Sequence, residues 1–339
     1  MTPEKEICEL IGCDLSLIDA AKMYAQRYGQ LDIKKRSGGL RTLRIPTKPL
    51  ATFQRFVHRA LMPRYEIFLH YKGLRGTVHG FRHKHSPRTN AKQHRHNRNF
   101  FICDLADAFG HVTEKMVVQI FVEHFGCTKV AAALLAKLTT FKGSIPQGAP
   151  SSPMLLNWAL ANADVAIRRL ADPHTRGATR HFVYTRYADD LVIGTNSLSE
   201  NELEEVGEKV FAIFKKHGFK ENGEKTRFTS TRFGSVRITG YTVNDPRVQK
   251  RSPKRDAPRQ VRLPGNKLRN LRAMLHHAAK GERTQEQVRG SLEEVFVLYT
   301  REPKRQNNNP ELPSVLIKPY RLYLKAVKAG IVPKTSREQ

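Results

Sequence analysis

Cysteine is scarce in this chain, with four residues in 339: Cys8, Cys13, Cys103 and Cys127. They are too few and too scattered for a disulfide framework, and no His or Cys pair at zinc spacing follows Cys8 and Cys13. All four read as reduced thiols. Long apolar runs are missing too. No stretch reaches membrane-spanning length, and the opening MTPEKEICELIG is charged where a secretory signal is apolar, so a cytoplasmic protein is expected. Acidic residues are in short supply: 31 Asp and Glu stand against 59 Lys and Arg, giving +28 and a pI near 10.2. Such an excess opposes compaction unless a polyanion neutralises it. Nucleic acid is the leading partner, because phosphates release counterions when a basic protein binds. A membrane surface is disfavoured, since no long basic amphipathic helix stands out.

What remains is ample for folding. Apolar residues make up 39% of the chain, and its length suits about two domain-sized units. Residues 1–30 carry apolar residues at helical spacing, as in LSLIDAAKMYAQRY. LDIKKRSGGLRTLRIP reads as a hairpin turning at Ser37-Gly38-Gly39. A helical pattern covers 47–63 and ends near Met62-Pro63. Residues 71–99, rich in His, Arg and Lys, read as a loop-rich basic surface. Phe100–Cys103 is a short buried-type strand, and 113–141 is helical in pieces. IPQGAPSSP is a loop leading into a helix with Ser152 as N-cap and Pro153 first in the helix. HFVYTRY and LVIGT form a hairpin around Ala188-Asp189-Asp190. A helix over roughly 199–217 follows, then one strand in VRITGYTVN. Residues 245–264 are basic and proline-punctuated, the best linker in the chain. Beyond it, 266–280, 284–300 and 314–329 read as helices.

The residues that carry chemistry are acidic. Asp104 ends a buried-type strand, and Asp189-Asp190 sits in a hairpin turn. Joining a nucleotide to a sugar hydroxyl calls for two divalent cations, one to activate the attacking oxygen and both to stabilise charge on phosphorus. Magnesium prefers carboxylate and phosphate oxygens, so carboxylates on rigid adjacent strands suit it. An Asp-Asp pair in a turn is by itself ordinary turn chemistry. The preceding tyrosine, the flanking strands and the Asp104 strand set this one apart.

These motifs resemble the reverse transcriptase family. YADD (Tyr187–Asp190) is similar to its catalytic box, and CDLADAF (Cys103–Phe109) to its first-aspartate motif. The resemblance implies that Asp104 and Asp189 hold two Mg2+ ions, with Mn2+ as a substitute, and that Asp190 assists. It places Phe109 at the steric gate that excludes a 2′-hydroxyl. Gln147 and Gly148 of PQGAPSSP fall near the template base and incoming nucleotide. Lys225 of KENGEKTRF falls at the leaving pyrophosphate, and Lys34, Lys35 and Arg41 at the triphosphate.

Two further matches resemble the retron members of the family: Asn90-Ala91-x-x-His94 is similar to their NAxxH signature, and ITGYTVN to their VTG signature. The implied fold is α+β, a right-hand polymerase with an antiparallel palm sheet and a helical thumb. The divisions expected are an N-terminal helical segment (1–30), fingers and palm (31–245), a basic linker (246–264) and an RNA-binding thumb (265–339). Asn90, His94, Arg262, Lys267, Arg269 and Arg272 are the expected RNA contacts. On a helix from Asn266, Arg269 and Arg272 share one face, and Leu268, Leu271 and Leu275 form the apolar stripe. The implied partners are a structured noncoding RNA serving as template and primer, dNTPs, the msDNA product and, with no further domain in view, a separate effector protein in antiphage defence. The alternatives are another bacterial reverse transcriptase, intron-like or diversity-generating, and an RNA-binding protein with a vestigial polymerase core.

Overall fold

In the computed structural model of the chain, which describes residues 1–35, 38–171, 182–243, 261–299 and 314–333, two short helices come first. Helix α1 (Pro3–Ile11) is capped by the Thr2 side chain and stopped by Gly12, whose φ of 68° needs no Cβ. Helix α2 (Leu15–Met23) follows. The strands β1 (Tyr28–Lys34) and β2 (Leu40–Pro46) pair antiparallel and are exposed over most of their length.

Helix α3 (Lys48–Tyr71) runs well past the expected stop at Pro63. Its buried stripe, Leu50, Phe53, Val57, Leu61, Tyr65 and Leu69, keeps helical spacing through the proline. Pro63 faces solvent, so the carbonyl that loses its helical donor is not buried with it. Packing on both sides outweighs the local penalty.

The segment 71–99 differs most from its reading as a basic surface. His79, Arg82, Asn90, His94 and Asn97 are all buried, and Pro87–Gln93 forms helix α4, capped by Ser86. Arg82 is neutralised by Glu66 at 2.6 Å and also donates to the carbonyls of Arg75 and Val78. Burial, with no opposing charge to compensate, holds His79 down to about 4 and His94 to about 3, so both are neutral hydrogen-bonding groups. A high count of basic side chains says nothing of partners contributed from elsewhere in the chain.

The sheet is built around β3 (Asn99–Ala106), whose run NFFICDLA is buried almost throughout. It pairs antiparallel with β5 (Asp190–Thr195) on one edge and with β7 (Arg227–Ser230) and the short β6 (Lys220–Glu221) on the other. β4 (Val183–Tyr187) lies outside β5. Helices α5 (Ala108–His111), α6 (Glu114–Phe125), α7 (Lys129–Thr139) and α8 (Ser152–Leu170) separate β3 from β4 in sequence. The N-cap of α8 is Ser151, one residue before the expected position. Helix α9 (Glu200–Lys216), with its Ser199–Glu202 capping box, lies so close to β3 that a Cβ on Gly207 would stand 2.9 Å from the Phe101 ring. This α+β architecture, with helices around an antiparallel sheet, is the expected one.

The chain divides into two compact units, Met1–Gly234 and Ser235–Gln339. The second opens with a tight hairpin, β8 (Val236–Ile238) and β9 (Tyr241–Val243), where a single strand was expected. Thr239 and Gly240 turn it with φ of 43° and 83°, the two positive values a right-twisted two-residue hairpin requires. Among the described residues three helices follow: α10 (Gly265–Ala279), α11 (Gln285–Tyr299) and α12 (Ser314–Lys328). Most of the expected linker lies outside the described residues. No helix among the described residues is long and apolar enough to cross a membrane.

One interaction in the first unit is costly enough to test. Arg186 on β4 and Asp164 on α8 form an ion pair at 2.6 Å with both side chains at 0% exposure. Burial opposes the guanidinium's charge; the Asp164 carboxylate overcomes it and holds the arginine charged. Removing one partner strands the other charge in the core. Arg186→Met should therefore cost about 3–5 kcal/mol, and Arg186→Met/Asp164→Leu should recover most of it. Denaturant midpoints on the full chain test this, and a parent-like midpoint for the single variant would contradict it.

Candidate active site

The site is assembled by strand register. Across the β3–β5 ladder Asp104 lies opposite Asp190, and the Leu105 N–H donates to the Asp189 carbonyl at 3.1 Å. Asp189 occupies the tight turn between β4 and β5, where Tyr187 pairs with Asp190. On the other edge of β3 the Asn222 N–H donates to the Asp104 carbonyl at 2.8 Å. That contact carries Lys225 inward, and its Nζ lies 2.6 Å from Asp104 Oδ2. Three carboxylates and one ammonium thus meet where the ladder ends.

The electrostatics follow from the crowding. Burial, and then the charge of Asp104, push the Asp189 carboxyl up, against the pull of Lys225 and Arg41. Asp190 rises further, to about 6, through burial on its protein side and then repulsion from Asp189 and Asp104. Asp190 is also open to solvent, so water screens part of that repulsion. Lys225 moves up, chiefly through its hydrogen bond to Asp104.

Among the described residues no group of three or more acidic, His or Cys side chains is placed to hold a metal ion by itself. The donor set nonetheless fits a hard divalent cation. Magnesium takes one or two protein carboxylates and completes its shell with water and phosphate oxygens. Carboxylates whose mutual repulsion raises their pKa gain most from a cation placed between them.

Beneath the turn lies a framework that composition and motif did not reveal. Ala188 adopts φ 58°, a strained value for a residue with a Cβ. Arg186 Nη1 donates to the Ala188 carbonyl at 3.0 Å and to Asn157 Oδ1 at 3.0 Å. Asn157 Nδ2 in turn donates to the Gly80 carbonyl at 3.0 Å. Gly80 presses on the turn so closely that a Cβ there would stand 2.3 Å from the Ala188 nitrogen. Tyr184 donates to Asp164 at 2.7 Å and completes the cluster. The available signal was a lone arginine in the apolar run VYTRY and a lone aspartate in the apolar helix ANADVAI, two opposite charges that each need a partner.

A comparison with known families decides the assignment: the family described as "Reverse transcriptase (RNA-dependent DNA polymerase)" matches residues 33–274. This chain belongs to the reverse transcriptase family. It is similar to the retron Ec86 reverse transcriptase of Escherichia coli, 26% identical over 67% of this chain and 64% of that one. It also resembles two Myxococcus xanthus retron reverse transcriptases, Mx162 at 28% identity over 76% of this chain and 54% of that one, and Mx65 at 30% over 82% and 64%. The chain therefore spans less than two thirds of each relative. Among solved structures, telomerase from Candida albicans with a telomeric RNA fragment aligns with TM-score 0.54 and 11% identity over 92% of this chain and 58% of that one. Apo telomerase from Candida tropicalis gives 0.52 and 11% over 79% and 51%. At those identities the likeness concerns the fold alone, and that fold is the right-hand polymerase. Reverse transcriptases use divalent metal ions, which the carboxylates of this member suit.

The other expected site residues of this reverse transcriptase distribute unevenly. Arg41 is exposed on β2, and its charge reaches Asp189. Lys35 is exposed where the β1–β2 hairpin begins to turn. Phe109 on α5 is half-buried. Gln147 uses its backbone carbonyl to accept from the Arg44 N–H at 2.7 Å. Gly148, at φ 105°, has the Arg44 carbonyl 2.9 Å from where a Cβ would sit. The backbone pressing on this glycine is that of the β1–β2 hairpin.

Asn90 and His94 have no exposed surface, so in this structure neither reaches an RNA. His94 Nε2 instead hydrogen-bonds Thr185 Oγ1 on β4 at 2.7 Å. In the second unit Arg262 pairs through its backbone with Thr242, and Lys267 Nζ lies 5.5 Å over the Tyr241 ring. Arg269 and Arg272 are exposed, while Leu271 and Leu275 are buried and Leu268 half-buried. Both arginines line a groove of about 840 Å³ with His276, Lys318 and Leu322.

The raised Asp190 carboxyl has a consequence for stability. Its folded value lies above the unfolded one, so proton uptake favours the fold at low pH, and that contribution is lost as pH rises through about 6. With chelator present, Asp190→Asn should raise Tm at pH 8 by roughly 1–3 °C. The gain should shrink as pH falls below 6 and vanish only below about pH 3, where the carboxyl is neutral in the folded and unfolded chain alike. A gain that does not vary with pH would contradict the crowding.

Proposed function

We propose that this chain is the polymerase core of a retron system. It copies a structured noncoding RNA into DNA, starts from a guanosine 2′-hydroxyl of that RNA, and yields the branched RNA–DNA hybrid msDNA. It serves antiphage defence with an effector on another chain. The observation that carries the catalytic reading is the register of Asp104 against Asp190, with Asp189 adjoining. The retron part is supported by likeness to retron relatives and by the NAxxH-like and VTG-like segments.

Asp104 and Asp189, with Asp190 assisting, are the residues we assign to two magnesium ions, for which manganese can substitute. Bound there, the ions activate the attacking hydroxyl and stabilise charge on phosphorus. Everything else falls to the protein's own side chains. Lys225, paired with Asp104 in this structure, is free to turn toward the pyrophosphate once a cation takes its place. Arg41 and Lys35 grip the triphosphate. Gln147 and Gly148 keep the hairpin against the nucleotide site through Arg44, and Phe109 stacks on the sugar and excludes a 2′-hydroxyl. RNA contact falls to Arg262, Lys267, Arg269 and Arg272 rather than to the buried Asn90 and His94. An A-form stem is met by shape and backbone along the α10 arginines.

Two measurements test this reading. Asp189→Asn keeps the side-chain shape but removes a charged metal ligand. It should reduce magnesium-dependent primer extension on an RNA template to background, with the parent fold and RNA affinity retained. Extension at near-parent rates would refute the catalytic assignment. For the second unit, affinity for an RNA stem-loop should fall steeply with salt. Arg269→Ala/Arg272→Ala should lower the slope of log K against log salt by roughly 1.5. Superimposable curves would remove α10 from RNA binding.

A further inference from the structure

Phe81 has a backbone conformation that a bulky residue avoids. Its φ is 59°, the left-handed region where Cβ crowds the following carbonyl and glycine is the usual choice. The chain has a glycine next to it, but Gly80 serves a different need, the close approach of Ala188. Phe81 is held in place from both sides. Gly80 is fixed under the catalytic turn, its carbonyl bonded to Asn157 at 3.0 Å. Arg82 is buried and tied to Glu66 at 2.6 Å and to two backbone carbonyls. Strain of this kind persists where the surroundings over-determine it, and it gathers at functional sites.

The Phe81 ring meets Phe109, edge to face, with centroids 6.4 Å apart and planes at 72°. Phe109 stands on the four-residue helix α5, whose start is a second strained residue, Asp107 at φ 41°. The Asp107 carboxylate fills the space beside Gly110, 2.1 Å from where a Cβ would sit. The backbone under Phe109 is thus fixed by the Asp107–Gly110 turn, and its ring by Phe81. We propose that Phe81 is a positioning residue for nucleotide selection: it keeps the Phe109 ring upright against the sugar, so exclusion of ribonucleotides depends on both rings. This rests on Phe109 acting as the sugar gate. A mere packing role for Phe81 would change stability, or turnover of all nucleotides alike, and leave the dNTP-to-rNTP ratio alone.

The experiment measures kcat and KM for a dNTP and the matching rNTP on one RNA template–primer, using the full chain with magnesium. The variants are Phe81→Gly, Phe81→Leu, Phe81→Tyr, Phe109→Ala and Phe81→Gly/Phe109→Ala. Phe81→Gly removes the ring and also relieves the backbone strain, so it should fold. It should lower the dNTP-to-rNTP ratio of kcat/KM by about three- to tenfold, the worth of one edge-to-face pair, mainly through a lower KM for the rNTP. Phe81→Leu should do the same, and Phe81→Tyr, which keeps the ring contact, should retain the parent ratio. Phe109→Ala should lose more, and the double variant no more than Phe109→Ala. A parent ratio in Phe81→Gly and Phe81→Leu, with a changed one in Phe109→Ala, would overturn this proposal alone, as would additive losses in the double variant. An unchanged ratio in Phe109→Ala would overturn the gate reading and this proposal with it.

Discussion

Like charges have to be kept together in this molecule, and much of its first unit follows from that constraint. Asp104, Asp189 and Asp190 repel one another, and in a mobile loop they would separate. Here the backbone cannot yield. The β3–β5 register, the Leu105 bond to the Asp189 carbonyl and the Asn222 bond to the Asp104 carbonyl hold it at three points. The repulsion therefore appears as raised carboxyl pKa values, with Asp190 at about 6, while the strands stay paired. Lys225 relieves one member of the cluster. The rest of the tension favours an incoming cation.

A turn under such load needs support from below, and the support is polar. Arg186 gives the Ala188 carbonyl a donor, Asp164 makes the buried guanidinium tolerable, and Asn157 passes the contact to Gly80. An apolar filler of equal volume would pack as well and cost less desolvation. It could not, however, bond the carbonyl of a left-handed residue. Specific geometry at Ala188 is what this burial of charge secures.

Elements set by local spacing were legible in the sequence, and elements set by distant partners were not. The β1–β2 and β4–β5 hairpins, α8, α9 and α10 follow from apolar periodicity, glycine turns and caps. The pairing of Asp104 with Asp190 follows from a buried-type run that ends at Asp104 and a turn at Asp189, both local features. Pro63 misled, since its local cost was visible while the stripe holding α3 straight through it depends on the whole core. The basic run 71–99 misled for the same reason. Arg82 is interior only because Glu66 awaits it, and His94 only because Thr185 does. The contact of Gly148 with the Arg44 backbone was hidden for the same reason, since the hairpin that supplies it lies a hundred residues upstream.

His94 and Asn90 lie wholly inside the protein, and His94 acts there on a strand. Burial keeps His94 neutral, and its bond to Thr185 ties α4 to the strand that carries Arg186. The same strand receives the segment before α4: Arg186 N–H donates to the Thr77 carbonyl at 2.8 Å, and His79 N–H to the Arg186 carbonyl at 2.8 Å. Residues 76–94 thus form a brace along the outer edge of β4, with Gly80 under the turn. In a sheet whose edge strand leads into the Asp189 turn, an unbraced edge would let that turn breathe. The side chains that seat this brace, His79, Arg82, Asn90 and His94, are interior because the edge they close is itself covered.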